Sequence, residues 1–242
     1  MKYYLGTSGF SYDSWIGEFY PENLERRKWL NFYSKYFNTT EINMTFYRFP
    51  FPNLLKGWYR KTPKDFKFTL KANRQITHIK KLKNISSILK RFYSIADELK
   101  EKLGCILFQV PPFLKKDKHF RLVKKFLQLL NSKYSSYKNV LEFRHKSWYC
   151  DEVLNMLKDY NTIFCVVSAP RLPDICIKTS KIAYVRFHGV TSWYDYDYSK
   201  NELKFWATKI KKLKAKEIYV YFNNDYNAYA VKNCKYIKKL LR

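Results

Sequence analysis

Asn139-Val-Leu-Glu-Phe-Arg-His-Lys-Ser-Trp148 alternates greasy and charged residues. Successive side chains of a strand leave on opposite faces, so Leu141 and Phe143 share one face while Glu142 and Arg144 share the other. A strand covered by helices on its apolar side turns that ionic face into a dry interior, where an unpaired charge costs several kcal/mol. The ionic face therefore needs partners. The same alternation recurs in Glu41-Ile-Asn43, Tyr184-Val-Arg186-Phe-His188 and Tyr221-Phe-Asn223. Several strands thus aim polar groups at one point.

Working outward, eight short β-rich runs can be marked: 3–5, 39–47, 66–72, 104–110, 140–145, 163–167, 182–188 and 217–223. Amphipathic stretches lie between them, at 24–37, 53–60, 85–100, 118–130, 151–160, 200–213 and 226–241. In the third of these, Leu89, Phe92, Ile95, Ala96 and Leu99 trace a helical stripe. Regular alternation of strand and helix calls for a parallel sheet, and eight units in 242 residues suit a closed (β/α)8 barrel forming a single domain over 1–242. A doubly wound open sheet is the alternative. The stretch from Arg171 to Lys178, interrupted by Pro173, is too short for a full helix, so the unit between strands six and seven is expected to be degenerate. Ser199 and Asp225 are placed to cap the helices behind them.

The chain is 46% hydrophobic and 19% aromatic, ample for a core, and contains no apolar run long enough to span a membrane. No signal-peptide pattern precedes Gly6-Thr-Ser-Gly9, so a soluble, cytoplasmic protein is expected. The five cysteines lack CxxC spacing and read as reduced, with Cys105 and Cys165 in apolar runs. A net charge of +27 favours anionic partners, nucleic acid among them. Lysine outnumbers arginine 36 to 11, however, and is spread along expected helix surfaces, a pattern that AT-rich codon usage produces by itself.

Gly6-Thr-Ser-Gly9-Phe-Ser-Tyr12, Phe19-Tyr-Pro21, Glu41 to Tyr47, Thr77-His78, Gly104 to Pro112, Glu142-Phe-Arg-His145 with Ser147-Trp148, Tyr184 to Gly189 and Phe222-Asn-Asn224 together resemble the DUF72 family, also called YecE-like. The resemblance runs from the first strand to the last helix. It implies a TIM-type barrel and leaves activity open, because that family's function is unestablished. Four positions depart from the family pattern: Ser168 stands where an aspartate is expected, Met44 for a serine, Phe10 for a tryptophan and Ala228 for a glycine. Ser168 removes an acid or metal ligand from the end of the sixth strand.

In such a barrel the C-terminal ends of the strands form the active site. Glu142, His188 and Glu41 are the candidate catalytic groups, and Arg144, Arg186, Asn43, Lys71, Gln109, His145, Asn223, Asn224 and Tyr47 the candidate substrate contacts. The arginines offer planar forks for phosphate or carboxylate, a glutamate serves as base, and His188 shuttles a proton near neutral pH. A self-paired ionic layer is the bland reading of the same residues. His78 either joins the mouth or caps a helix, with the cap favoured. No cofactor is expected. A divalent metal on Glu41, Glu142 and His188 is the alternative, unsupported by any HxH or HxxxH spacing. Aromatic residues between Thr191 and Tyr198 suggest a lid after strand seven.

The leading expectation is an enzyme acting on an anionic small molecule, phosphorylated molecules among them, by Glu/His acid-base chemistry at the barrel mouth. The alternatives are a nucleic-acid enzyme or binder and a non-catalytic barrel that binds a ligand or partner. Oligomeric state is not legible.

Overall fold

The computed structural model describes residues 1–241. Eight strands, β1 (Lys2–Thr7), β2 (Thr39–Ile42), β3 (Lys67–Lys71), β4 (Leu103–Val110), β5 (Lys138–Phe143), β6 (Ile163–Ser168), β7 (Ile182–Phe187) and β8 (Glu217–Phe222), run parallel in the order β1-β8-β7-β6-β5-β4-β3-β2. Around them lie α1 (Trp29–Tyr36), α2 (Met44–Tyr47), α3 (Pro52–Arg60), α4 (Ser86–Ala96), α5 (Lys116–Tyr134), α6 (Asp151–Asp159), α7 (Lys200–Lys212) and α8 (Tyr229–Leu240). This is the barrel that the alternating pattern predicts. Among the described residues no helix is long and apolar enough to cross a membrane.

Strand alternation sorts the core into two layers. Phe108, Leu141, Phe143, Val185, Val220 and their like face outward and pack against the helices. Tyr4, Cys105, Leu107, Val140, Cys165, Tyr184, Tyr219 and Tyr221 fill the inside. The buried Tyr221 hydroxyl finds partners in Thr39 Oγ1 at 2.6 Å and Thr69 Oγ1 at 2.8 Å, so the middle of the barrel is plugged rather than hollow.

Between β1 and β2 the ladder is largely replaced by side chains. Asn38 accepts from Leu5 N and donates to Tyr3 O, both at 2.8 Å. The Tyr33 hydroxyl, reaching over from α1, accepts from Thr7 N at 2.8 Å and donates to Thr39 O at 3.0 Å. Above it a bridge between Ser8 and Glu41, with Gly9 N donating to Glu41 O at 2.7 Å, brings the two strands together. Gly6 permits this approach, since a Cβ there would lie 1.9 Å from Thr39 O.

Several expected boundaries move. The second strand stops at Ile42, because Asn43 takes helical angles (φ −81°, ψ −23°) and starts the single turn of α2. Thr45 then spends its hydroxyl on the carbonyls of Ile42 and Lys71, locking that turn against β3. The first helix is shorter than expected, with a 3₁₀ turn at Arg26–Lys28 leading into α1. No helix joins β6 to β7, as Pro173 foretells. Ser199 caps α7 in a full capping box with Glu202. Asp225 does not cap α8: its side chain makes no capping bond, and the residue before that helix is Ala228, at φ 57°. A left-handed alanine costs about 1–2 kcal/mol, which the glycine of the resembling family would avoid.

Candidate active site

Inward-facing positions near the C-terminal ends of β2, β3, β4, β5 and β7 carry Glu41, Lys71, Gln109, Glu142 and Arg186. Arg186, fully buried, bridges the two carboxylates: Nη2 donates to Glu41 Oε1 at 2.6 Å and Nη1 to Glu142 Oε2 at 2.7 Å. Glu41 Oε1 also accepts from Ser8 Oγ at 2.7 Å, and its Oε2 accepts from the Tyr184 hydroxyl. Burial and the neighbouring Glu41 hold that phenol well above its usual range, so Tyr184 remains a donor. Glu142 Oε2 takes a further hydrogen bond from Gln109 Nε2 at 3.0 Å.

Glu142 Oε1 faces the mouth. It lies 3.0 Å from His188 Nε2 and 2.9 Å from Arg144 Nε, whose N–H is not aimed along a hydrogen bond. Burial alone would raise the Glu142 pKa, but the guanidiniums of Arg144 and Arg186 and the bond from His188 hold it well below the ordinary carboxylate range. His188 is pushed the other way from its usual role as a cation. Burial first, then the charges of Arg144 and Arg186, hold its pKa well below the usual histidine value. With Asn223 Nδ2 donating to Nδ1 at 3.1 Å, the neutral ring carries its proton on Nε2 and donates to Glu142.

Arg144 is the layer above. Its side chain is 11% exposed, where that of Glu142 is sealed. Trp193, from the segment after β7, covers the guanidinium at 4.6 Å and lies 5.3 Å from the His188 ring. That segment leaves β7 through Gly189 at φ 119° and is pinned by Tyr194 N to His188 O at 2.7 Å and Gly189 N to the Tyr198 hydroxyl at 2.9 Å. Ser168, in place of the family's acid, accepts from Tyr198 at 2.8 Å and so holds the same segment. Beyond Arg144 opens a cavity of about 680 Å³ lined by Gln109, His145, Lys146, Arg171, Leu172 and Trp193, with Arg144 in its wall.

Lys71 is partly buried and, among the described residues, makes no side-chain hydrogen bond or ion pair; its Nζ lies over the Phe46 ring at 4.3 Å. Burial, reinforced by Arg186 and Arg144, brings its pKa down to about 8. His78 packs edge-on against the same ring at 4.9 Å, with its Nδ1 2.8 Å from Thr77 Oγ1. Burial and the charges of Lys71 and Arg144 lower its pKa to about 4. His78 thus sits beside Lys71 on the Phe46 ring, outside the lining of that cavity, and does not cap a helix: the turn it occupies is preceded by Arg74, without a side-chain cap.

The structure brings Glu41, Glu142, Arg186, His188, Arg144, Gln109 and Asn223 into one network, with Lys71 held among their charges. Other candidates go elsewhere. Asn224 ties down the β7–α7 segment, donating to Tyr196 O and Asn233 Oδ1 at 2.7 Å. His145 Nδ1 caps the turn at Lys146–Trp148 by accepting from Ser147 N, while its residue lines the cavity. Asn43 lines a separate cavity of about 370 Å³ with Tyr12, Arg48 and Trp58, and its Oδ1 is buried without a partner. Tyr47 is 68% exposed on α2. Glu41, Glu142 and His188 do not form a ligand set, because Arg186 spans the two glutamates; among the described residues no group of three acidic, histidine or cysteine side chains is arranged for a metal. Tyr184, Lys146 and Arg171 also belong to the site though they are not among the candidates from sequence. Tyr184 carries a signal, standing two residues before Arg186 on the same face of β7, whereas Lys146 and Arg171 lie between strands with no periodicity to mark them.

The chain matches the family described as "Protein of unknown function DUF72" over residues 4–242. It is 26% identical to UPF0759 protein YunF of Bacillus subtilis over a 272-residue alignment that covers 98% of this chain and 94% of that one. Against UPF0759 protein YecE of Escherichia coli it is 27% identical over 108 residues, 45% of this chain and 37% of the other. The crystal structure of a DUF72 family protein from Thermotoga maritima superposes with a TM-score of 0.90 at 34% identity, covering 100% of this chain and 99% of that one. A second, from Enterococcus faecalis, has the same fold at 21% identity, with a TM-score of 0.86 over 99% and 95% of the two chains. Matched from the first strand to the last helix, the chain belongs to the DUF72 family.

Proposed function

We propose that the protein is an enzyme acting on a small anionic molecule held in the cavity at the barrel mouth. The observation that carries this reading is the charge balance. Glu41 and Glu142 are matched by Arg186 and Arg144, which leaves Lys146 and Arg171 in the cavity lining, and the amine of Lys71 over Phe46 behind that lining, as cations without an ion pair among the described residues. An unbalanced cationic pocket with a Trp193 wall suits a carboxylate or phosphate carried on a small organic frame. Arg144 is the anion contact, preset by Glu142 below and Trp193 above. Glu142 and His188 are the acid-base pair beneath it, with Glu41, Gln109 and Asn223 fixing their orientation. Because both groups are sealed, chemistry by this pair requires the 189–198 segment to lift and Arg144 to turn toward the ligand.

Titration calorimetry with a panel of phosphorylated and carboxylated metabolites tests the reading. Binding by at least one of them, weakened about 10- to 100-fold in Arg144→Ala and less in Arg144→Lys, is expected from the loss of one charged hydrogen-bonding contact, about 1.4–2.8 kcal/mol. Affinity unchanged in a folded Arg144→Ala protein rejects the site.

A further inference from the structure

We infer that Lys71 is a covalent nucleophile, and that the anionic substrate carries an aldehyde or ketone carbonyl which condenses with its amine. This rests on the anionic-ligand reading above and narrows the substrate to an oxo acid or a phosphorylated carbonyl compound. A lysine placed only to neutralise an interior acid would sit on a carboxylate, yet Lys71 touches neither Glu41 nor Glu142; Arg186 occupies both. Its Nζ instead lies on the face of Phe46 and makes no hydrogen bond among the described residues. The backbone that carries it is held rigidly: Lys71 lies on a strand, and its carbonyl accepts from Thr45 Oγ1 at 2.7 Å. Desolvation beside other cations is the condition under which a lysine amine loses its proton near neutral pH and becomes a nucleophile. The groups that act on it are Arg186 from β7, Glu142 and Arg144 from β5 and its continuation, and Glu41 from β2, with His78 sharing the Phe46 ring.

The chemistry balances without an added oxidant or reductant. The Nζ lone pair forms a C–N bond as the carbonyl π bond breaks and its oxygen takes up a proton from solvent water, and the amine proton passes to a base. His78, neutral at physiological pH and bonded to Thr77 through Nδ1, has Nε2 to offer for that transfer. His78 then returns that proton to the carbinolamine hydroxyl, which leaves as water while the nitrogen lone pair forms the C=N bond, so that a protonated imine remains on Lys71 and one proton from solvent has been consumed in all. Arg144 holds the substrate anion while this proceeds.

Borohydride trapping with pyridoxal 5′-phosphate as the anionic aldehyde probe, followed by peptide mapping, tests the inference on the unaltered protein. Among 36 lysines, Lys71 is expected to be modified at least about tenfold faster than the rest at pH 7.5, with a rate midpoint near pH 8. Inorganic phosphate should slow it, and Lys71→Arg should abolish the fast phase. Labelling spread evenly over surface lysines overturns the inference. If that occurs while calorimetry still finds Arg144-dependent anion binding, the covalent role falls and the anion site stands. If Lys71 is labelled fast but phosphate gives no protection and no anion binds, the amine is reactive and the anion site is wrong.

Discussion

Arg186 is the residue on which the interior depends. Its two arms bridge Glu41 and Glu142, so neutralising either acid strands a buried positive charge. Glu142→Gln keeps the shape and removes the charge; it should cost about 3–5 kcal/mol in chemical denaturation, the usual penalty for breaking a buried pair from one side. A cost under about 1 kcal/mol would show that water or rearrangement already compensates the site. Acid should act through the same residues. The folded protein holds His188 neutral below the pH at which the unfolded histidine, near 6.5, takes a proton, and it holds Glu142 ionised below the unfolded value near 4.3. In both cases the unfolded chain binds more protons, so stability is fully present above about pH 6.5 and declines as pH falls, first through His188 together with His78, whose pKa is held down to about 4, and then through Glu142. In His188→Gln the decline between about pH 6.5 and 5 should flatten. An unchanged profile would mean that His188 titrates normally in the folded protein.

At the scale of elements, the alternation of charged and apolar residues in β5 and β7 made the interior legible, because a period of two is dictated by the strand itself. Glu41, Glu142, Arg186 and His188 were therefore identifiable from the chain. What was not legible depended on turns and long-range closure. Asn43 reads as the next inward residue of β2, yet the strand ends one residue earlier and Asn43 faces another cavity. Asn224 reads as a mouth residue but is spent on the segment that follows β7. Nothing in the order of residues announces that Tyr33 of α1 supplies the hydrogen bonds missing between β1 and β2. That seam makes a separate prediction. Tyr33→Phe leaves Thr7 N and Thr39 O without partners and should cost about 1–3 kcal/mol. Gly6→Ala places a methyl against the Thr39 carbonyl and should cost more, about 3 kcal/mol or above. Equal stability of Gly6→Ala and the parent in thermal unfolding would show that β1 and β2 do not approach as closely as described.

For the whole molecule, a charge of +27 and a cationic mouth are separate matters. Most lysines are exposed, on helix faces and in the loops between elements, where water and salt screen them, whereas Lys71 and Arg144 lie within low-dielectric walls that concentrate their field. An anion drawn by overall charge alone would scatter over the surface; one drawn by the built site would settle in the mouth. Anomalous diffraction from crystals soaked in selenate separates the two most directly. The strongest peak is expected in the mouth cavity, within hydrogen-bonding distance of the Arg144 guanidinium and absent in Arg144→Ala crystals. Peaks confined to lysine-rich helix faces, with none against Arg144, would contradict the account.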